Sequence, residues 1–482
     1  MSEALWRLGV GDAARRIAGG ELTSLALVEA CLARIAEHEP EVRAWRHLDA
    51  EAAREQARAC DAADTPAGPL HGVPIGVKDL IDTADLPTGY GSPIYDNNRP
   101  NDDAVCVTRL RAAGAVILGK TVTTEFATFK PPVTRNPHDK GRTPGGSSSG
   151  SAAAVASGMV GAALGSQTAG SVIRPAAFCG TVGFKPSFGA INLKGVKPLS
   201  RDLDTLGTFA RNVTDVALVA RVMADRQGPL GQAPTGFLPP PSIALCRTPE
   251  WPQAEPSTTA MLEELMGRLA DAGAPTGEVV MGGPFAELAA AQNVIMKAQA
   301  AVMLKRERES ERDKLSPGLA TMLDEGADMP RESLNAAMAT FTRCRVEARN
   351  LFGGYDLLLT PAAPGEAPSR ETTGDPMFNR IWTALHVPCI TLPAADGPNG
   401  MPLGAQLVGR VGDDAFGRVL KDGLESHGVD VSRVAVDSGS PSGTAIILLD
   451  AERENHIVAV YGANMRCDET QVLDAESALN DA

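Results

Sequence analysis

Residues 144–156, PGGSSSGSAAAVA, decide the fold of this chain, and a second turn of similar composition follows at residues 165–175, GSQTAGSVIRP. Glycine and serine allow tight turns, whereas the run of alanines after them favours a helix. The pattern therefore predicts a tight loop that leads into a buried helix. A phosphate-binding loop would end in Gly-Lys-Ser or Gly-Lys-Thr, which is missing here. A flexible linker does not usually lead into an apolar helix.

Composition limits the class of protein and its partners. The chain has 482 residues, 43% of them hydrophobic, which is enough for a sizeable core. Its net charge of −14 argues against a nucleic-acid partner, because phosphate binding needs clustered cations. The sequence shows neither a secretory signal at its start nor an apolar run long enough to span a membrane. Eight cysteines occur singly and the histidines show no ligand spacing, so we expect a reduced, cytoplasmic protein without metal or cofactor.

Apolar strand patterns and helix patterns alternate along the chain, which is typical of an α/β domain. We therefore predict an α/β fold in which helices cover both faces of a mixed, largely parallel central sheet. Residues 284–350 are predicted to be helical and charged, either as a solvated face or as a lid over the active site. The predicted strands are 73–77, 115–119, 242–246, 355–361, 390–393 and 404–408, and the predicted helices are two within 22–65, the first ending at Pro40, followed by 103–113, 213–223 and 258–272.

A serine nucleophile needs a base within hydrogen-bond reach, since its hydroxyl is poorly nucleophilic at neutral pH. No histidine lies in the glycine- and serine-rich turns, so a histidine-based triad is not indicated. The candidate base is Lys78, at the end of an apolar strand, because burial would lower the pKa of its ammonium group. On residue type alone, the more common fate of such a lysine is to point towards solvent.

Several segments together resemble the amidase signature family of serine hydrolases. The two turns quoted above resemble its glycine- and serine-rich signature, and the resemblance extends over about residues 1–427. The other matching segments are HGVPIGVKD at 71–79, FCGTVGFKP at 178–186 and PLGAQLVG at 402–409. The resemblance implies the family's α/β fold, no cofactor, and hydrolysis of a C–N bond in a small-molecule amide.

The resemblance also implies roles for individual residues. It makes Lys78 the base, Ser147 the bridging serine and Ser171 the nucleophile, with a cis peptide between Gly146 and Ser147. The stretch between the two serines leaves room for one helix and one strand. The implied oxyanion hole comprises the backbone N–H groups of Thr168, Ala169, Gly170 and Ser171, and the implied substrate contacts are Gly146, Gln167 and Arg174.

The second turn departs from the family's common Asp-Thr-Gly-Gly-Ser-Ile-Arg. Gln167 stands in place of the acid, and Arg174 lies three residues after the serine rather than two. This variant resembles the malonamidase-like branch more than the corresponding component of tRNA-dependent amidotransferases. Arg174 is expected either to bind a carboxylate of the substrate or to hold the loop, and the sequence leaves both open.

The predicted function is that of a serine amidase, not a peptidase, which hydrolyses a linear amide, aryl amide, carbamate or substituted urea through an acyl-enzyme. The alternative is a protein similar to the A subunit of a glutamine-dependent aminoacyl-tRNA amidotransferase. The expected partners are the small-molecule substrate and water, with a homodimer also allowed, and neither nucleic acid nor a membrane.

The sequence changes character towards its end, where several segments resemble ribokinase-family sugar kinases. These segments are 408–417, 428–432, 443–450 and 454–464. The family's Gly-Ala-Gly-Asp phosphate loop is missing, so a kinase is not indicated. We predict an amidase domain at 1–430 and a ribokinase-like remnant at 431–482 that plays no part in catalysis. We further predict a last amidase helix at 414–426 and a β-hairpin with strands at 445–449 and 457–461.

Overall fold

The computed structural model describes residues 4–224, 240–409, 444–449 and 455–460. Besides one-turn 3₁₀ segments, its helices are α1 (Val10–Ala18), α2 (Ser24–Val42), α3 (Ala50–Asp61), α4 (Val105–Ala112), α5 (Ser149–Ala156), α6 (Ile173–Cys179), α7 (Val213–Met223), α8 (Pro256–Asp271), α9 (Leu288–Met303), α10 (Lys305–Ser310), α11 (Pro317–Ala327), α12 (Arg331–Leu351) and α13 (Met377–Ala384). The strands are β1 (Trp45–Leu48), β2 (Pro74–Lys78), β3 (Val116–Thr121), β4 (Ala162–Gln167), β5 (Val182–Lys185), β6 (Thr205–Ala210), β7 (Ile243–Arg247), β8 (Thr276–Val280), β9 (Leu357–Pro361), β10 (Cys389–Asp396), β11 (Pro402–Gly409), β12 (Thr444–Leu449) and β13 (Asn455–Val460).

The central sheet is mixed, and its strands follow the order β1-β3-β2-β4-β6-β5-β10-β11-β9-β7-β8. Parallel pairing joins β3, β2 and β4 in one block and β9, β7 and β8 in another. The strands between these two blocks all pair antiparallel with their neighbours, in the order β4, β6, β5, β10, β11 and β9. The predicted α/β class with a mixed sheet is confirmed.

Helices cover both faces of the sheet, as the burial of its strands shows. In β3, Ile117 packs in one apolar cluster, whereas its neighbours Val116 and Leu118 pack in another. Successive side chains of a strand point to opposite faces, so both faces of β3 are buried under protein. The strand pattern is therefore a continuous apolar run, which is typical of a sheet covered on both sides.

Most predicted elements are present, and two differences have a clear cause. Helix α2 does not end at Pro40 but continues to Val42, where Arg43 adopts a left-handed φ of 53° and its N–H bonds to Glu39 O. A proline in the last turn removes one hydrogen bond of the helix, and the two residues that follow it can still be helical. Strand β1 was not predicted, because four residues with a single buried tryptophan give little periodicity.

The predicted hairpin in the C-terminal part is confirmed. Strands β12 and β13 pair antiparallel, with Ile447 opposite Ile457, and form a separate two-stranded sheet. The predicted helix at 414–426 and the kinase-like segment at 428–432 lie outside the described residues. The division at residue 430 therefore stays a prediction.

Helix α5 lies very close to neighbouring backbone, which explains the small residues after the first turn. Seven of its eight residues are buried. A Cβ on Gly150 would lie 2.2 Å from Ala44 O and 2.3 Å from Val122 N, both of them backbone atoms that cannot move aside cheaply. Gly150 also donates its own N–H to Val122 O. The glycine therefore fixes how closely this helix packs against Ala44 and Val122.

Gly150→Ala is predicted to lower the free energy of unfolding by about 3 kcal/mol, at the upper end of the usual cost of overpacking. The matched control is Gly267→Ala in the exposed part of α8, where a Cβ meets no atom within 4 Å. That change should raise stability by about 0.5–1 kcal/mol, because alanine is the better helix former. Denaturant unfolding of both variants measures the two effects, and an equal response at both positions would contradict the packing described here.

Candidate active site

The amine of Lys78 is enclosed by serine hydroxyls. Lys78 ends strand β2 and has no exposed surface. Its Nζ lies 2.8 Å from Ser147 Oγ, 3.0 Å from Ser148 Oγ and 2.8 Å from Ser166 Oγ. The first two serines belong to the loop before α5 and the third to β4, so the two turns singled out in the sequence meet at this lysine.

Burial sets the protonation of this amine. It holds the pKa of Lys78 well below its usual 10.5, because the ammonium ion loses its hydration, and the carboxylate of Asp204 opposes that shift. Asp204 is itself buried, which raises its own pKa. The pKa of Lys78 is thus lower in the folded protein than in the unfolded chain. Because the unfolded chain binds this proton more tightly, the free energy of unfolding increases as the pH rises from the lower to the higher of these two pKa values. Folding therefore favours the neutral amine.

The loop that carries Ser147 is held from two sides. The cis Gly146–Ser147 peptide that the resemblance implied is present. Arg174 Nη2 donates to Gly146 O at 2.6 Å, and the N–H of Thr124 donates to Ser147 O at 3.2 Å. Ser147 is 1% exposed. Its hydroxyl therefore faces the lysine from a fixed backbone.

Gln167 fixes the loop that carries Ser171. Its Oε1 accepts from the backbone N–H groups of Val172 at 2.9 Å and Ile173 at 3.1 Å, and its Nε2 donates to Thr383 Oγ1 at 3.0 Å. Gln167 is fully buried behind the loop and is not among the residues that line the cavity described below. The structure thus shows it as a support of the loop.

Two of the residues expected to form an oxyanion hole have carbonyl groups that accept hydrogen bonds from side chains elsewhere in the chain. Gln292 Nε2 donates to Thr168 O at 3.0 Å, and Thr383 Oγ1 donates to Ala169 O at 2.9 Å. Within the described part of the chain, the N–H groups of Ala169, Gly170 and Ser171 donate to no acceptor. Neighbouring unbonded N–H groups are the arrangement that binds a developing oxyanion.

A cavity of about 300 Å³, counted with its mouth, lies in front of Ser171. Ser171 is 7% exposed and forms part of its wall. Two of the lining residues come from the helical region 284–350, for which the sequence allowed a lid, namely Met296 on α9 and Met322 on α11. The full lining is Ala127, Thr128, Phe129, Thr168, Ala169, Ser171, Arg174, Leu199, Met296 and Met322.

Arg174 contacts both the loop of Ser147 and the cavity. It lines the cavity and is 2% exposed, while one of its nitrogens bonds to Gly146 O. Its Nε and Nη1 have no hydrogen-bond partner among the described residues. Burial lowers the pKa of Arg174 to about 9, an effect that Asp375 opposes. The guanidinium therefore holds the loop, while two of its nitrogens donate to no described residue.

Some residues around the site were not found from the sequence. Ser166 lies inside one of the two turns but was assigned no contact with the lysine. Asp204 accepts from Thr168 Oγ1 at 2.5 Å and from the N–H groups of Leu199 and Ser200, although no motif marks it. Gln292 lies more than 100 residues away in the chain. Only the folded arrangement brings these groups to the turns.

Family models match two parts of the chain. Residues 26–416 match the model described as Amidase. Residues 402–482 match the model of the pfkB family of carbohydrate kinases, in agreement with the kinase-like segments noted in the sequence. The first match covers most of the chain and includes every residue of the site described above.

Similar proteins agree with the first of these matches. The chain is 34% identical over 460 residues to the A subunit of glutamyl-tRNA(Gln) amidotransferase from Chloroflexus aggregans, an alignment that covers 85% of this chain and 94% of that protein. It is 48% identical over 230 residues to the protein of the same name from Roseiflexus castenholzii, so it aligns with slightly less than half of that relative's length, 46%. The solved structure of peptide amidase from Stenotrophomonas maltophilia superposes with a TM-score of 0.72 at 28% identity, covering 84% of this chain and 93% of that one.

Two kinds of feature are missing from the part of the chain that the structure describes. Across 4–224, 240–409 and the two short strands of the hairpin, no group of three or more His, Cys, Asp or Glu could hold a metal ion. In the same residues, no helix is long and apolar enough to cross a membrane.

Gln167→Leu is predicted to lower the free energy of unfolding by about 2–6 kcal/mol, because two buried N–H groups lose their acceptor at about 1–3 kcal/mol each. The control is Gln253→Leu at an exposed glutamine, which should change stability by less than about 0.5 kcal/mol. Thermal and denaturant unfolding of both variants provide the comparison. A Gln167→Leu protein as stable as the control would show that the loop does not depend on this side chain.

Proposed function

This chain belongs to the amidase family, whose members act on C–N bonds, and from that premise we propose that it is a serine-dependent hydrolase of small-molecule amides. In this proposal Ser171 is the nucleophile, Ser147 relays its proton, and Lys78 is the base. The proposed substrate is a linear amide, aryl amide, carbamate or substituted urea, and the proposed location is the cytoplasm.

One observation carries the proposal, namely the fully buried amine of Lys78 in contact with a serine hydroxyl. Lys78 Nζ lies 2.8 Å from Ser147 Oγ without any exposed surface, so it has a lone pair to offer at a pH where ordinary lysines have none. The loop that carries Ser171 lies beside a cavity, and the N–H groups of Ala169, Gly170 and Ser171 in this loop donate to no acceptor among the described residues. These features support the proposal that a nucleophile, a base and an anion-binding loop act together.

The proposed reaction has two halves. In the first, Ser171 Oγ attacks the amide carbonyl while its proton passes to Ser147 and the proton of Ser147 passes to Lys78. The N–H groups of Ala169, Gly170 and Ser171 bind the oxyanion, and the protonated relay returns a proton to the departing amine. In the second, water attacks the acyl-enzyme with the same relay as base, which releases the acid and restores Ser171.

Arg174 supports two roles in this proposal. Its bond to Gly146 O holds the loop of the bridging serine. Its unused Nε and Nη1 could also bind an oxygen of the substrate, a carboxylate among them, since guanidinium suits such oxygens. A small substrate is favoured, because the lining residues leave little enclosed space in front of Ser171.

The second candidate is a component of an amidotransferase complex, and a specific finding favours it. The relatives reported above are named as the A subunit of glutamyl-tRNA(Gln) amidotransferase. Against it stand the departures in the second turn, where Gln167 and Arg174 replace the common pattern. Turnover of simple amides by the isolated chain supports the hydrolase, whereas turnover only in the presence of partner proteins supports the amidotransferase.

Ser171→Ala is predicted to abolish both hydrolysis and labelling by a fluorophosphonate, because the covalent step has no other nucleophile. Intact-protein mass spectrometry should show one adduct on the unchanged chain, on Ser171, and none on the variant. Ser149→Ala serves as the control, since this buried serine of the first turn donates its hydroxyl to Val122 O, away from the lysine. Labelling that persists in Ser171→Ala would refute the assignment.

Lys78→Ala is predicted to lower the labelling rate by about 10²–10⁴, the usual contribution of a general base. In the unchanged chain the rate should rise with pH while Lys78 loses its proton and level off well below 10.5, because burial lowers this pKa. The control is Lys314→Ala, at an exposed lysine. A rate that still rises through pH 10 in the unchanged chain would contradict a neutral lysine base.

A further inference from the structure

The cavity in front of Ser171 has polar and apolar lining residues. The polar ones are Thr128, Thr168, Ser171 and Arg174. Apart from Ala169, the apolar ones, here called the apolar wall, are Ala127, Phe129, Leu199, Met296 and Met322. We infer that the apolar wall is the acyl-binding subsite of the enzyme and that it takes compact, uncharged acyl groups, either aliphatic or aromatic. This inference rests on the proposed function, since an acyl group is held there only if Ser171 is the nucleophile.

The exposed fractions of the wall residues show which end of the cavity is enclosed, and we place the acyl group there. Leu199, Met296 and Met322 are 3%, 2% and 9% exposed, whereas Phe129 is 40% exposed and marks the mouth. The acyl group stays bonded to Ser171 after the amine has left, and both the departing amine and the incoming water need the mouth. The enclosed end of the cavity is therefore the place for the acyl group.

The chemistry of the wall selects against charge. Methionine is unbranched and polarisable, so two of them can close around acyl groups of differing shape. Among the residues that line the cavity in the described part of the chain, Arg174 is the single charged one, and it lies on the side of Ser171. A carboxylate at the far end of an acyl group would lose its hydration against thioethers without gaining a partner.

The wall is held in a fixed position relative to the catalytic loops. The carboxylate of Glu125 is buried and accepts from the N–H of Ser316, at 3.2 and 3.3 Å, directly before α11. The preceding residue, Thr124, donates its N–H to Ser147 O. Thr124 and Glu125 together thus connect helix α11, which carries Met322, to the loop of the bridging serine.

Backbone strain in the same segment agrees with a built site. Phe126 and Ala127 adopt left-handed φ angles of 44° and 59°, which residues other than glycine rarely do. Such angles persist only where the surroundings hold them, and here the N–H of Phe126 bonds to Tyr90 O. Ala127 and Phe129 are thereby kept against the cavity, so the wall exists before substrate binds.

The test uses p-nitrophenyl esters that share one leaving group and differ in the acyl group: acetate, butyrate, benzoate and hemiglutarate. The burst of p-nitrophenol gives the second-order rate constant for acylation of Ser171. We expect butyrate to exceed acetate by about tenfold, because two more methylenes are buried. Benzoate should also exceed acetate, and the charged hemiglutarate should be slower than butyrate by at least about tenfold.

Two variants assign the preference to the wall. Met296→Gln and Met322→Gln keep the length of the side chain but add an amide, so the ratio of butyrate to acetate should fall below about threefold in each. Val302→Gln is the matched control, because it changes an exposed residue of the same helix as Met296 and should keep the ratio near tenfold. The ratio within each variant is the readout, so a general loss of activity does not affect it.

The outcomes separate this inference from the proposed function. Acylation at equal rates by acetate and butyrate, or a preference that both methionine variants retain, would overturn the subsite and leave the serine mechanism standing. Faster acylation by hemiglutarate than by butyrate would also overturn it, and would assign the acyl group to Arg174. If no ester and no fluorophosphonate modifies Ser171, both the subsite and the proposed function are wrong.

Discussion

The structure depends on the burial of one amine among hydroxyl groups. Lys78 Nζ is surrounded by three serine oxygens, and a hydroxyl can donate or accept. Another buried lysine shows the contrast, because Lys185 Nζ bonds to the backbone oxygens of Pro186 and Val387, which only accept. Lys185 must therefore donate to both. The hydroxyl neighbours of Lys78, in contrast, can donate a proton to its lone pair once the amine is neutral. The carbonyl neighbours of Lys185 have no proton to donate, so only Lys78 has the partners that a base in a proton relay needs.

This arrangement demands small residues around it. A Cβ on Gly165 would lie 2.9 Å from Ser148 Oγ and 2.5 Å from the ring of Phe209, so only glycine lets Ser148 reach the lysine. A Cβ on Gly170 would lie 2.4 Å from Asn379 Oδ1. The glycines of the second turn thus reflect close packing, against Ser148 at Gly165 and against Asn379 at Gly170. Parallel pairing of β2 with β4 brings the second turn beside Lys78, because both strands end at the same edge of the sheet and β4 carries Ser166 near its end.

The sequence predicted the parts of the fold and the site that local patterns determine. Apolar runs located six strands of the central sheet but not β1, β5, β6 or β8. The resemblance identified Lys78 and Ser147, which the structure places in contact. Residue type alone would have placed that lysine in solvent, because periodicity does not report what covers a strand end. Met296, Met322 and Gln292 could not be predicted, since ordinary helical spacing gives no sign of which face meets a distant loop. Gln167 was expected to meet substrate, but its contacts run to the backbone behind the loop.

The protonation state of Lys78 is the central claim, and NMR of the side-chain amine tests it most directly. With lysine labelled by ¹³C and ¹⁵N, the Cε and Nζ signals of Lys78 can be assigned by their loss in Lys78→Ala and followed through a pH titration. We expect these signals to titrate well below the usual 10.5, while those of exposed lysines stay near it. If Lys78 stays in the ammonium form up to pH 10.5, it is not the base of the relay.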